Sequence, residues 1–193
     1  MKYIILSILL LFSFDLYSSP FSEKLVLAAV ERTTHLVRYD GAYVSIGYPN
    51  GDVPDDVGVC TDVIIRTYRT LDIDLQKRIH EDMKASFKDY PSNRIWGMNK
   101  PDSNIDHRRV PNLQKYFERQ GSSLPISNQP KDYKPADLVT WMLPGNLPHI
   151  GIVIDKIDQV SNNPIIVHNI GAGPEASDML FSYKITGHYR FIP

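Results

Sequence analysis

The residue types most able to do chemistry in this chain are one thiol, Cys60, and two imidazoles, His149 and His168. A thiolate is a nucleophile, but it needs a base within hydrogen-bond reach and a third group to orient that base. Cys60 stands in Asp55-Asp56-Val57-Gly58-Val59-Cys60-Thr61-Asp62, where a helix is expected to begin. A helix N-terminus favours a thiolate through its free amides and its dipole, and the same amides can hold the oxyanion of a tetrahedral intermediate. His149 opens the apolar run His149-Ile150-Gly151-Ile152-Val153-Ile154, where Gly151 leaves room for a close approach. His168 lies in a second such run, Ile165 to Ile170. If these runs pair as strands, the imidazoles can meet across the ladder, where opposed Cβ atoms are about 4.5–5.5 Å apart. Each residue alone has a plainer reading: a lone cysteine as a small buried hydrophobe, His149 as a turn closer after Pro148, His168 as a satisfied sheet residue. The joint arrangement carries the catalytic reading.

The positioning elements follow from periodicity. Phe21 to Thr34 has Leu25, Ala28, Ala29 and Arg32 at helical spacing, with Ser22 as the expected N-cap. Tyr39 to Val59 is crowded with turn formers and reads as a loop-rich approach to Cys60. From Thr61 the pattern is helical, with Ile64, Tyr68 and Leu71 on one face and Asp62, Arg66 and Arg69 elsewhere. Further helices are expected over Leu75 to Lys88 and Asn112 to Gln120, separated by an irregular stretch from Ile95 to Pro111. The last third turns to strand-like runs: Leu138 to Leu143, Ile150 to Asp155, Ile165 to Ile170 and Gly187 to Ile192. Pro144-Gly145-Asn146 reads as the turn of a hairpin. Helices first and an antiparallel sheet second is an α+β single domain.

Met1 to Pro20 reads as an export signal: Lys2 supplies the basic end, Tyr3 to Phe14 the apolar run, and Tyr17-Ser18-Ser19 the small-residue exit. The expected organisation is a signal at 1–18 and one domain at 19–193, placing the mature protein in the periplasm or outside the cell. In such an oxidising compartment cysteines are kept mainly as pairs, so an unpaired Cys60 reads as a working thiol. Twenty-one basic residues against 22 acidic ones give a net charge of −1, which offers a polyanion such as nucleic acid nothing to bind. No later run is apolar for the roughly 20 residues that span a bilayer.

Asp106-His107-Arg108-Arg109 sits in the irregular stretch. Either Arg108 or Arg109 grasps a substrate carboxylate, with His107 beside it, or the group pins the loop by salt bridges. Asp52, Asp55 and Asp56 lack the spacing and distal Glu of a calcium loop. His35, His80 and His188 are assigned to structure or surface. A zinc site from Cys60, His149 and His168 has no short-spaced ligand pair behind it, so no metal or cofactor is expected.

The order of these features resembles the papain-like cysteine peptidases and amidases of the NlpC and CHAP type. The resemblance rests on a cysteine opening a helix, on Pro135-Ala136-Asp137-Leu138-Val139, on the His149-Ile150-Gly151-Ile152 start, and on a polar residue one strand later. Tyr48-Pro49-Asn50-Gly51-Asp52, Ile105 to Asn112 and Val167 to Gly171 more narrowly resemble a bacterial subfamily catalogued as a domain of unknown function. Two positions differ from the better-known members: Ala136 stands where Gly is common, and Thr61-Asp62 replaces a small pair after the nucleophile. The resemblance implies a papain-like fold, Cys60 as nucleophile, His149 as general base, His168 as third residue, and a substrate in bacterial cell-wall peptides. Tyr48 joins His107, Arg108 and Arg109 as the expected substrate-binding set. The same machinery could serve an acyltransferase or thioesterase, and the alternative class is a non-catalytic envelope binding domain.

Overall fold

The computed structural model describes residues 19–193, so the expected signal at 1–18 lies outside the described residues. The first helix, α1, runs Pro20–Arg32. Ser19 rather than Ser22 caps it, its hydroxyl accepting the Ser22 amide at 3.1 Å, and Pro20 fits the first turn because no partner is needed there for its missing N–H. Two short strands, β1 (Arg38–Tyr39) and β2 (Val57–Gly58), pair in parallel. They deliver the chain to α2, Cys60–Arg69, which begins on the cysteine.

Every residue of α2 from Cys60 to Tyr68 is buried, so it is a central helix rather than a half-solvated one. Asp62 and Arg66, expected off the apolar face, are therefore inside the protein and must be paired. The third helix, α3 (Leu75–Ser86), is capped by Asp74, which accepts the Lys77 amide at 3.0 Å. A short α4 (Ser92–Trp96), ended by left-handed Gly97, runs into the stretch read as irregular from Ile95, which also holds a single tight turn at Asp106–Arg108. The fifth helix, α5 (Val110–Arg119), starts two residues before the expected Asn112 because Pro111 is accommodated in its first turn.

Five antiparallel strands complete the domain: β3 (Leu138–Leu143), β4 (Leu147–Ile157), β5 (Pro164–His168), β6 (Glu175–Ser177) and β7 (Lys184–Tyr189), in the order β6-β5-β4-β3-β7. Gly145 and Asn146, with φ of 77° and 58°, turn the β3–β4 hairpin as expected. Short, half-exposed β6 carries no apolar alternation and was not legible in the sequence. One face of the sheet presents Leu138, Ile150, Ile152, Ile154 and Val167 to Leu25, Ile64, Leu113 and Phe117 of the helices. The other carries Val139, Trp141, Val153 and Ile166 beneath Tyr133, Met179 and Leu180. Each fully buried aliphatic side chain stabilises the fold by about 1.5–3 kcal/mol, so this two-faced sheet is the frame on which the site is held. Ala136, between the helices and β3, has φ of 73°; a left-handed alanine costs about 1–2 kcal/mol.

Candidate functional site

Cys60 is 4% exposed, and its sulfur meets the backbone of β4 beyond the point where β5 ends. The amide of Ile150, free of a β5 partner there, points at Sγ, as do the amides of Cys60 and Thr61 at the start of α2. Those donors favour the thiolate. Burial, reinforced by the Asp62 carboxylate, outweighs them and pushes the thiol up to about 12. Tyr39 lies close by, its hydroxyl pushed up to about 12 by burial and then by Cys60 and Asp62.

The residue before Ile150 is His149, and on β4 alternation turns it to the opposite face, where its cross-strand partner is Trp141. The β4 and β5 strands do pair, and His149 Nε2 lies 3.1 Å from His168 Nδ1, with the rings nearly perpendicular. His168 Nε2 lies 2.8 Å from the Ser177 hydroxyl and 3.7 Å from a Glu175 carboxylate oxygen. Both imidazoles are almost wholly buried. Burial pushes His149 down to about 3, with the neighbouring His168 adding to the effect, and burial alone pushes His168 down to about 4. Both rings are therefore neutral near pH 7. With Nε2 of His149 engaged by His168, Nδ1 is its remaining nitrogen, and among the described residues no hydrogen bond joins either imidazole to Cys60.

Gly151 makes this meeting of rings possible. A Cβ there would fall 2.5 Å from Ile166 Cγ2, 3.0 Å from the Val167 carbonyl oxygen and 3.2 Å from His168 Cβ. Gly151→Ala is expected to push β5 away, at about 1–3 kcal/mol of stability. Urea unfolding checks this, and an alanine variant as stable as the parent would show that β5 yields freely.

Of the other expected site residues, Arg108 alone is bonded to the start of α2, where its carbonyl accepts the Thr61 hydroxyl at 3.1 Å. Arg108 is buried, with Nε and Nη2 each 2.9 Å from an Asp62 carboxylate oxygen and further bonds to the Ala42 and Asp40 carbonyls. Of its two expected roles the structure has the loop-pinning one, because a guanidinium so engaged has no face left for a ligand. Asp62 also accepts the Val59 amide at 2.7 Å, which fixes the start of α2. Arg109 stacks on Trp96, 4.1 Å from the ring centre, and stands 3.6 Å from Asp106. His107 is 2% exposed and pushed down to about 3, first by burial and then by Arg108 and Arg69. Tyr48 is exposed and packs edge-on against His80, with ring centres 5.0 Å apart.

Asp52 pairs with Arg66 and Arg69, and among the described residues no group of three or more His, Cys, Asp or Glu is arranged to hold a metal ion. His188 Nε2 lies 2.8 Å from an Asp137 carboxylate oxygen and its Nδ1 3.1 Å from the Pro125 carbonyl oxygen, a structural role. A surface groove lies between Lys88–Arg94 and the Pro111, Gln114, Lys115 and Glu118 side of α5, and Cys60, His149 and His168 do not line it. No described helix is long and apolar enough to cross a membrane. Sequence reading missed Asp62, Glu175, Ser177 and Tyr39. An Asp two residues after the cysteine was the only visible signal, since the others are brought in by pairing between distant segments.

A family model described as a domain of unknown function, DUF1287, matches residues 26–191. The chain is also 49% identical over 153 residues to the uncharacterized protein YijF of Escherichia coli K12, covering 79% of this chain and 73% of that protein.

Proposed function

We propose that this chain, which belongs to the DUF1287 family, is an exported cysteine hydrolase of papain-like, NlpC/CHAP type that cleaves amide bonds in peptidoglycan peptides. The observation that carries this reading is the His149–His168 pair at 3.1 Å between β4 and β5, with His149 adjoining Ile150, whose amide favours the Cys60 thiolate. In the proposed reaction Sγ attacks the scissile carbonyl while His149 Nδ1 takes the thiol proton. His149 then gives that proton to the departing amine, and water cleaves the thioester to return free thiol and a carboxylic acid. The amides of Cys60 and Thr61 stabilise the oxyanion. Because burial disfavours both the thiolate and the imidazolium, the resting pair is neutral and the proton moves as the sulfur attacks.

The 4% exposure of Cys60 favours a second reading, a non-catalytic envelope binding domain with an inert thiol. Iodoacetamide labelling from pH 5 to 9 separates the two. In the hydrolase reading the parent protein labels faster near neutrality than His149→Ala. In that variant the rate follows thiolate alone, rising about ten-fold per pH unit because the thiol lies far above the range scanned. Coincident profiles, or labelling only on unfolding, would sink the hydrolase and leave the binding domain.

A further inference from the structure

Strand β6 carries two residues to the far side of His168. Glu175 is its direct cross-strand partner and Ser177 sits opposite Ile166, so both share the face on which His149 and His168 meet. The His149–His168 bond at 3.1 Å can run in either direction. If His168 Nδ1 donates, His149 Nε2 accepts, and a neutral His149 then carries its proton on Nδ1, the nitrogen needed to receive one from Cys60. If His168 Nδ1 accepts, His149 carries its proton on Nε2 and keeps a lone pair on Nδ1. The choice is set at the outer nitrogen of His168. Ser177 at 2.8 Å does not make it, because a hydroxyl both donates and accepts. Glu175 does: an ionised carboxylate only accepts, and at 3.7 Å it favours a proton on Nε2.

We propose that Glu175 is a positioning residue that extends the Cys60–His149–His168 set, holding His168 as its Nε2–H tautomer, with Ser177 as the acceptor of that proton's hydrogen bond, and so keeping His149 Nδ1 free to act as base. This rests on the hydrolase reading for its purpose but not for its geometry. Proton bookkeeping closes: the thiol proton goes to His149 Nδ1, His149 keeps its Nε2 proton hydrogen-bonded to His168, and Ser177 receives the His168 Nε2–H bond. Once His149 is cationic, its charge is stabilised along the same line toward Glu175. With Glu175 half-exposed, the effect is one of bias, screened by solvent and salt.

The test uses the mature protein with 15N-labelled histidine, reading each ring's tautomer from long-range proton–nitrogen correlations at pH 7. His168 and His149 should both be protonated on Nε2. Glu175→Gln, a surface change that leaves the fold intact, should give His168 a detectable Nδ1–H population and lower the iodoacetamide rate several-fold. Ser177→Ala with Glu175 retained should keep the Nε2–H form. An Nδ1–H tautomer at His168 in the parent protein, or an unchanged tautomer in Glu175→Gln, overturns the assignment. If the tautomers are as stated and His149→Ala leaves the labelling rate unchanged, the hydrolase reading fails while the relay stands.

Discussion

On the proposed hydrolase reading, replacing Cys60 by alanine is expected to lower amide hydrolysis by at least about 10⁴-fold, and His149→Ala by a similar factor, because members of a nucleophile–base pair act as a unit. The double variant should be little worse than either single one, since removing the nucleophile leaves the base with nothing to do. His168→Ala should cost less, as in the proposed mechanism His168 orients the base without accepting the transferred proton. Turnover of purified peptidoglycan fragments, followed by release of free amine, measures all four proteins. A Cys60→Ala protein that still hydrolyses at a tenth of the parent rate would end the cysteine mechanism. Loss of activity must not come from unfolding, and the stability of Cys60→Ala serves as the control: trimming one small buried side chain costs about 1 kcal/mol.

The largest effect on stability is expected at Arg108. Arg108→Ala would leave the Asp62 carboxylate 3% exposed with the Val59 amide as its remaining partner. Removing one partner of a buried pair costs about 3–5 kcal/mol, because the other charge stays in a low dielectric. The same change frees the carbonyls of Asp40 and Ala42 and loosens the start of α2, so Cys60 should label faster. Asp62→Leu combined with Arg108→Met tests the cause: with both charges gone, most of the loss should be recovered. Urea unfolding decides it. An Arg108→Ala protein within 1 kcal/mol of the parent would mean that water reaches Asp62 and the pair is not a staple.

Much of this architecture was legible residue by residue. Ile64 and Tyr68 at helical spacing and the alternating runs around Trp141 and Ile152 gave α2, β3 and β4, because both periods are imposed by backbone geometry. Gly151 marked the close approach of β5 correctly, and the hairpin turn announced its left-handed residues. Element ends were less legible, since Ser19 and Ser22 are equally good caps until one is placed against the other's amide. Strand β6 was missed because three polar, half-exposed residues form a strand only when β5 offers them an edge.

The sequence by itself determined an α+β domain, one thiol at a helix start, and two histidines on strands able to pair. These depend on local periodicity and on residue chemistry, which a linear chain displays. Only the tertiary structure decided that Arg108 is pinned to Asp62, that the thiol is buried against the Ile150 amide, and that Glu175 stands behind His168. Burial and the choice of charge partner depend on which distant segments share a small volume. That is settled by packing the whole chain at once.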